Sequence, residues 1–271
     1  MIAAARRRAG IYGAIAGMVP KMYLAYSLWV WIGLLLNLIG MTVFVYFWRG
    51  LYAGTQTIAG LTLQTTLSYI LLARVFEPLG DDGGLIFEFG YNLREGGIAH
   101  VLLRPLNMQA AYYAQNLASL AVDLLRQAPL AVLATLLFGL RWSSDPRVWG
   151  AFVITALLGR TIMFFFGWVL ASLTFYTTEV WGLGMLFWGV GMFLSGGLVP
   201  LTMMPDWLRT IVSAFPYAQS IFVPLSILSG ITPLSEAPRL WLTQVIWLVG
   251  LAALSRVVFA VALRKVTVQG G

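Results

Sequence analysis

Cysteine is absent from the chain and histidine occurs once, at His100. Without cysteine there is no disulfide frame and no thiolate chemistry. A single histidine excludes the usual histidine-cluster metal site, so the sequence points to no metal and no cofactor. Lysine is almost as scarce. Lys21 and Lys265 are the only two, and neither follows a G-x-x-x-x-G run. The chain therefore has no P-loop and cannot bind and split ATP in the usual way. G-x-S-x-G and H-E-x-x-H are missing as well, so no nucleophile elbow or zinc-protease pair stands out. The chain reads as no enzyme in its own right. Charge is thin overall: 10% of residues carry one, against about 25% in an ordinary soluble domain.

What fills the space instead is apolar. Of the 271 residues 60% are hydrophobic, and the mean hydropathy is +0.84. A soluble fold of this size could not hide so much apolar surface, because side chains also have to cover its outside. The composition implies an all-α, polytopic membrane protein. The net charge of +7 would hint at nucleic acid in a soluble protein. Here the arginines are dispersed among membrane segments, so their expected role is orientation against an anionic leaflet, with no nucleic acid as partner.

A span needs about 20 mostly apolar residues. Six stretches qualify: 22–48, 51–73, 117–140, 149–176, 180–199 and 241–263. Two regions stand apart. Residues 74–115 form a long polar stretch after the second span. Residues 200–239 lie between the fifth and sixth, where Trp207, Leu208, Ile211, Val212 and Phe215 recur at helical spacing, opened by Pro205-Asp206 and ended by Pro216. The apolar run that follows, 217–228, is too short to span and contains Pro224. Two short helices of this kind predict a re-entrant hairpin. The plainer alternative is an amphipathic loop helix lying on the membrane.

Residues 1–21 carry Arg6, Arg7 and Arg8 ahead of a short apolar run without a clear cleavage site. They read as a retained interfacial helix on the cytoplasmic surface rather than a signal peptide. With six spans both termini share a side. Arg6, Arg7, Arg8, Lys21, Arg74, Arg94, Arg104, Arg264 and Lys265 would lie there, against Arg49, Arg141, Arg147, Arg209 and Arg239 opposite. The excess puts both termini, and the segment 74–115, in the cytoplasm, and the 200–239 hairpin outside. The whole chain, 1–271, reads as one transmembrane domain.

Charges inside spans are costly and face protein or water. Asp123 and Arg126 share a helix face in the third span, Arg160 falls near the middle of the fourth, and Arg256 in the cytoplasmic half of the sixth. They read either as a polar translocation surface or latch, or as a structural ion pair with snorkelling arginines. Gly182, Gly189 and Gly196 recur every seven residues in the fifth span, as do Gly184 and Gly191 there and Gly33 and Gly40 in the first. Such spacing keeps glycines on one face and allows close helix packing, within the chain or across a dimer.

Three stretches then carry a resemblance: WRGLYAGTQTIAGLTLQTTLSYILLARV at 48–75, LREGGIAHVLLRPLN at 93–107, and SGGLVPLTMMPDWLRTIVSAFPYAQSIFVPLSILSG at 195–230. Together, in this order and with six spans, they resemble the membrane subunit of type 2 ABC exporters, more narrowly a bacterial branch of these permeases. The resemblance implies a bacterial cytoplasmic-membrane permease that pairs with a second permease, the same or homologous. It also implies a separate ABC ATPase that supplies the energy for exporting an amphiphilic cargo such as a drug, lipid or glycan. By the same resemblance the segment from Arg94 to Arg104 is the main ATPase-coupling helix, with a second contact at Glu179.

The residues suit that role. Ile98, Val101 and Leu102 fall on one side of a short helix. Gly96-Gly97 breaks a helix entering from before, and Pro105 biases Arg104 out of helix. Arg94, Glu95, His100 and Arg104 are left to meet a partner's polar groove. Two other classes compete. An ATPase-independent secondary transporter or channel would place ionisable groups around a midplane site, often with broken spans in matching halves. An intramembrane enzyme would need an acid, base or metal set that the sequence does not offer.

Overall fold

A computed structural model describes residues 27–80, 83–95, 107–177 and 180–264, together with 10, 11, 13, 14, 16–18 and 20. Most of the expected interfacial helix at 1–21 lies outside the described residues. Helices dominate. They are α1 (Ser27–Leu51), α2 (Leu63–Val75), α3 (Gly84–Arg94), α4 (Met108–Arg126), α5 (Ala128–Phe138), α6 (Pro146–Ser172), α7 (Val180–Leu194), α8 (Asp206–Ser213), α9 (Phe222–Leu228) and α10 (Ala237–Leu263). The one sheet among the described residues is a ribbon of β1 (Thr57–Ile58) and β2 (Leu61–Thr62). Four stretches are long and apolar enough to cross a membrane: Val30–Leu51, Met108–Phe138, Pro146–Phe175 and Leu234–Leu263. The pair Asp206–Ser213 and Pro216–Leu228, bent by 82°, would make a fifth if counted as one span.

The outward faces of these helices are apolar. Leu35, Leu36, Ile39 and Val43 on α1 are exposed, as are Leu242, Ile246, Val249 and Val257 on α10. A surface of this kind is solvated by lipid tails, not by water. α6 is the central post. α10 runs beside it in the same direction, with Ala237 in one cluster with Ala151 at the upper end and Phe259 5.2 Å from Trp168 at the lower. α4 runs the opposite way against α6, as Tyr112 packs on Trp168 and Asn116 reaches Arg160. Asp145 caps the start of α6 by accepting from the Arg147 amide at 2.8 Å. The Arg147 side chain beside it holds the Asp145 carboxyl below the usual carboxylate value.

The second expected span, 51–73, is not one helix. α1 continues to Leu51, and the chain then reverses through the ribbon, where Ala59 and Gly60 both take left-handed backbone (φ 49° and 78°). Two such residues in succession are what a tight hairpin requires. Thr62 then caps α2, accepting from the Thr65 amide. α2 ends at Val75, passes through a 3-10 turn at Glu77–Leu79, and resumes as α3 at Gly84. Phe76 meets Phe152 high on α6, whereas Phe89 meets Trp168 and Phe175 low on it. α2 and α3 thus descend beside α6 as one path broken in the middle.

The polar stretch 74–115 is helical at both of its described ends. Residues 84–94 are the helix α3, with Leu85, Ile86, Phe89 and Gly90 buried. Residues 108–115 begin α4, capped by Asn107. Polar residues there form the inward stripe of a helix: Gln109 donates to Ser255, Tyr113 bonds Thr161, and Asn116 accepts from Arg160. The third long helix therefore starts nine residues before the expected 117. The fifth expected span, 180–199, is helical only as far as Leu194.

The 200–239 region folds into the bundle from its upper end. α8 keeps Trp207 and Ile211 exposed and buries Val212. The next turn, Pro216–Gln219, is buried and reaches Gly159, half-way down α6. α9 then returns upward, ending with Ile227 packed beside Ala151. Gln244, fully buried on α10, ties these parts together by donating to the Thr155 and Gln219 carbonyls at 3.0 and 3.2 Å. Gly159 is what permits the approach, since a Cβ there would stand 2.1 Å from the Gln219 oxygen. Gly159→Ala is expected to destabilise the protein by about 1–3 kcal/mol through overpacking. Gly33→Ala, at an open position inside α1, should keep stability or raise it by up to about 1 kcal/mol. Thermal unfolding of the two variants in one detergent checks this.

Candidate functional site

The break between α2 and α3 opens a cavity of about 520 Å³, a volume in the range of small-ligand sites. Its walls come from the break itself, from α3, α4, α6 and α7, and from the turn around Tyr217. Six charged side chains line it: Arg74, Glu77, Glu88, Asp123, Arg126 and Arg160. Asp123, Arg126 and Arg160, three of the four charges expected inside the spans, are brought together here. Arg256, the fourth, is exposed on α10 and does not line the cavity.

Arg160 is buried at the middle of α6 and holds the break. Its Nη1 donates to the Pro78 carbonyl at 3.4 Å and to the Gly80 carbonyl, and its Nε donates to Asn116 Oδ1 at 2.9 Å. Carbonyls at the end of a helical run have no partner in the run and carry its partial negative charge. In a membrane interior such groups have to be satisfied by protein or by enclosed water. The guanidinium does so from the neighbouring helix, and the carbonyls in turn accommodate a buried cation. Nearby, Arg126 Nη1 pairs with Asp123 at 2.8 Å, both half-buried on α4. Glu77 accepts from Asn37 Nδ2 at 3.1 Å.

Arg74, Glu77 and Glu88, which belong to the polar segment 74–115, take part in this cavity. A readable signal existed. An apolar run ends in Glu77-Pro78, paired glycines follow at 83 and 84, and another apolar run resumes. That is the pattern of a discontinuous helix inside a bundle.

Of the expected coupling residues, the two that are described, Arg94 and Glu95, fall at the lower end. Arg94 closes α3 and Glu95 caps it. Ile98, His100, Val101, Leu102, Arg104 and Glu179 lie outside the described residues. The expected glycine face is corrected. Gly182 and Gly189 lie on α7 with open space beside them, but Gly196 lies past the end of α7 in left-handed backbone (φ 83°) and shares no helix face with them. Its carbonyl accepts from Tyr69 Oη at 2.9 Å, which ties α7's end to α2. The alternate pair does the internal packing: Gly184 makes room for Phe87 and Gly191 for Tyr217. Among the described residues no group of three or more His, Cys, Asp or Glu side chains could hold a metal.

Arg160→Met removes the donors that satisfy Pro78, Gly80 and Asn116. Hydrogen bonds to a charged group contribute about 1.5–3 kcal/mol each and are not additive. A loss of roughly 3 kcal/mol or more is expected, with Arg160→Lys in between. Arg256→Met, at an exposed position, should change stability by less than about 0.5 kcal/mol. Thermal unfolding in detergent separates the three variants.

Comparison with known proteins adds the family. No curated protein and no solved structure matches the chain. Residues 36–270 match the family described as ABC-2 family transporter protein. That stretch contains the broken second path, the charged cavity and the hairpin that walls it. The chain belongs to the ABC-2 transporter family and is a membrane permease of ABC-2 type.

Proposed function

We propose that the chain is the membrane-spanning half of an ATP-driven exporter in a bacterial cytoplasmic membrane, powered by a separate ABC ATPase. It crosses six times with both termini in the cytoplasm, α2 with α3 counting as one crossing and α7 as another. The 200–239 hairpin re-enters from outside. The cargo is amphiphilic, and a second permease completes the pathway, with the open glycine faces of α1 and α7 as its contact.

One observation carries this reading. The described residues that flank the expected ATPase contacts, Arg94 and Glu95 on one side and Phe175 and Val180 on the other, lie at the same end of the bundle. Phe89 on α3 lies 5.5 Å from Phe175, four residues before position 179 in the chain, and 6.2 Å from Phe259 near the end of α10. Gly90 accommodates Val180, the first residue of α7, against the α3 backbone. Aromatic pairs of this kind contribute about 0.5–1.5 kcal/mol each beyond their area. Force applied near Arg94 and Glu95 therefore passes directly to α6, α7 and α10. It also passes up α3 to the break and the cavity. The chain has no nucleotide-binding motif of its own, so such force has to come from a partner.

The charged cavity favours a second reading, an ATPase-independent transporter with ionisable groups around a midplane site. Co-purification decides between them. Expressed together with the products of its neighbouring genes, the wild-type chain is expected to retain an ABC ATPase through affinity purification. The double variant Arg94→Glu, Arg104→Glu should lose it while still inserting into the membrane. Unchanged retention by the double variant would remove the coupling assignment. Transport by the chain with no ATPase bound would favour the second reading.

A further inference from the structure

The Arg74 guanidinium lines the cavity and lies over the Phe44 ring, its Cζ 4.6 Å from the ring centre. None of the ion pairs among the described residues includes it, and its Nε–H is buried without an acceptor. The other charges around the cavity have protein partners or stand elsewhere. Asp123 is paired with Arg126, Glu77 takes the Asn37 amide, and Arg160 is held by two carbonyls and Asn116. Glu88 stands on α3, below the break, on the Tyr112 side of the cavity. A guanidinium with one face on an aromatic ring still offers its N–H edge, the geometry that receives a carboxylate or phosphate.

Part of the wall is apolar. Trp188 and Met192 on α7 line the cavity and are also 44% and 37% exposed. These two side chains give the cavity an apolar, partly exposed edge on α7. Leu198 and Ile221 extend the same wall. A charged interior in which Arg74 alone among the cations lacks an ion-pair or hydrogen-bond partner within the described residues, with an apolar edge beside it, suits a molecule with an anionic head and a greasy tail. We propose that the cavity binds the anionic headgroup, phosphate or carboxylate, of a single amphiphile, with Arg74 receiving the head and Trp188 and Met192 flanking the tail. This deepens the exporter reading by naming the class of its cargo, and it rests on that reading only for the word cargo. Binding itself needs no ATPase.

The test uses the full chain in neutral detergent, without any ATPase, and follows tryptophan fluorescence during titration. Three probes separate head from tail: dodecyl phosphate, inorganic phosphate, and dodecyl maltoside as the neutral amphiphile. Dodecyl phosphate is expected to bind saturably, and inorganic phosphate at least about tenfold more weakly. Dodecyl maltoside should not compete. Arg74→Gln should weaken dodecyl phosphate by about tenfold or more, with Arg74→Lys retaining part of the affinity. Met192→Trp crowds the apolar edge without touching Arg74 and should weaken the tailed probe alone, which keeps the test decisive if Arg74→Gln fails to fold. Arg209→Gln, on exposed α8, should bind as wild type. Equal binding of dodecyl phosphate and dodecyl maltoside, or wild-type binding by Arg74→Gln, overturns the proposal. Inorganic phosphate binding as tightly as dodecyl phosphate overturns the amphiphile and leaves a free-anion site. None of these results bears on ATPase retention, so the two readings fail separately.

Discussion

The contact between Arg160 and the carbonyls of Pro78 and Gly80 holds the rest of the architecture in place. A helix that breaks inside a membrane leaves backbone oxygens that neither lipid nor its own chain can satisfy. A buried arginine without acceptors is equally unfavourable. Each of these two costs is removed by the other, and Asn116 takes the remaining Nε–H. The cavity lies at this break, closed by α4, α6, α7 and the turn around Tyr217. The same contact fixes three elements together, because Arg160 belongs to α6, Asn116 to α4 and the carbonyls to the second path.

The hairpin completes what the break begins. Gly159, next to Arg160 on α6, gives room for the Gln219 backbone, and Gln244 anchors that backbone from the other side. The turn that follows α8 thus supplies Tyr217, Ser220 and Ile221 to the cavity wall. Upper and lower halves of the molecule meet at one depth. Above it lie the hairpin and the loop capped by Asp145. Below it lies the aromatic cluster around Phe89 and Trp168, which binds α3, α4, α6 and α10. A rigid lower cluster and an interrupted helix above it are the ingredients of a lever with a hinge.

Hydropathy was enough to find α1, α6 and α10, whose bounds lie within about five residues of the expected ones. Long lipid-facing helices advertise themselves, because their exposed faces have to be apolar. Hydropathy failed where polar residues face inward. Gln109, Tyr113 and Asn116 lower the average over 108–116, yet each has a protein partner, so that stretch is helix rather than loop. Glu77, Glu88 and Arg74 read in the sequence as part of a polar segment, and the fold sets all three on the wall of the cavity. Periodicity also overreached at Gly196, where a seven-residue repeat continued past the helix that gave it meaning. Arg160 was visible as an intramembrane charge. Its acceptors were not, because backbone carbonyls leave no mark in a sequence.

The account stands or falls on a wet, charged cavity inside an otherwise lipid-solvated bundle. The chain contains no cysteine, so single introduced thiols report directly. The most direct measurement compares the rate at which a water-soluble maleimide labels Ser119→Cys, on the cavity wall, with that of Ile246→Cys, on the exposed apolar face of α10, in membranes. Rapid labelling of Ser119→Cys and slow labelling of Ile246→Cys is the predicted result. Protection of Ser119→Cys together with labelling of Ile246→Cys would contradict it.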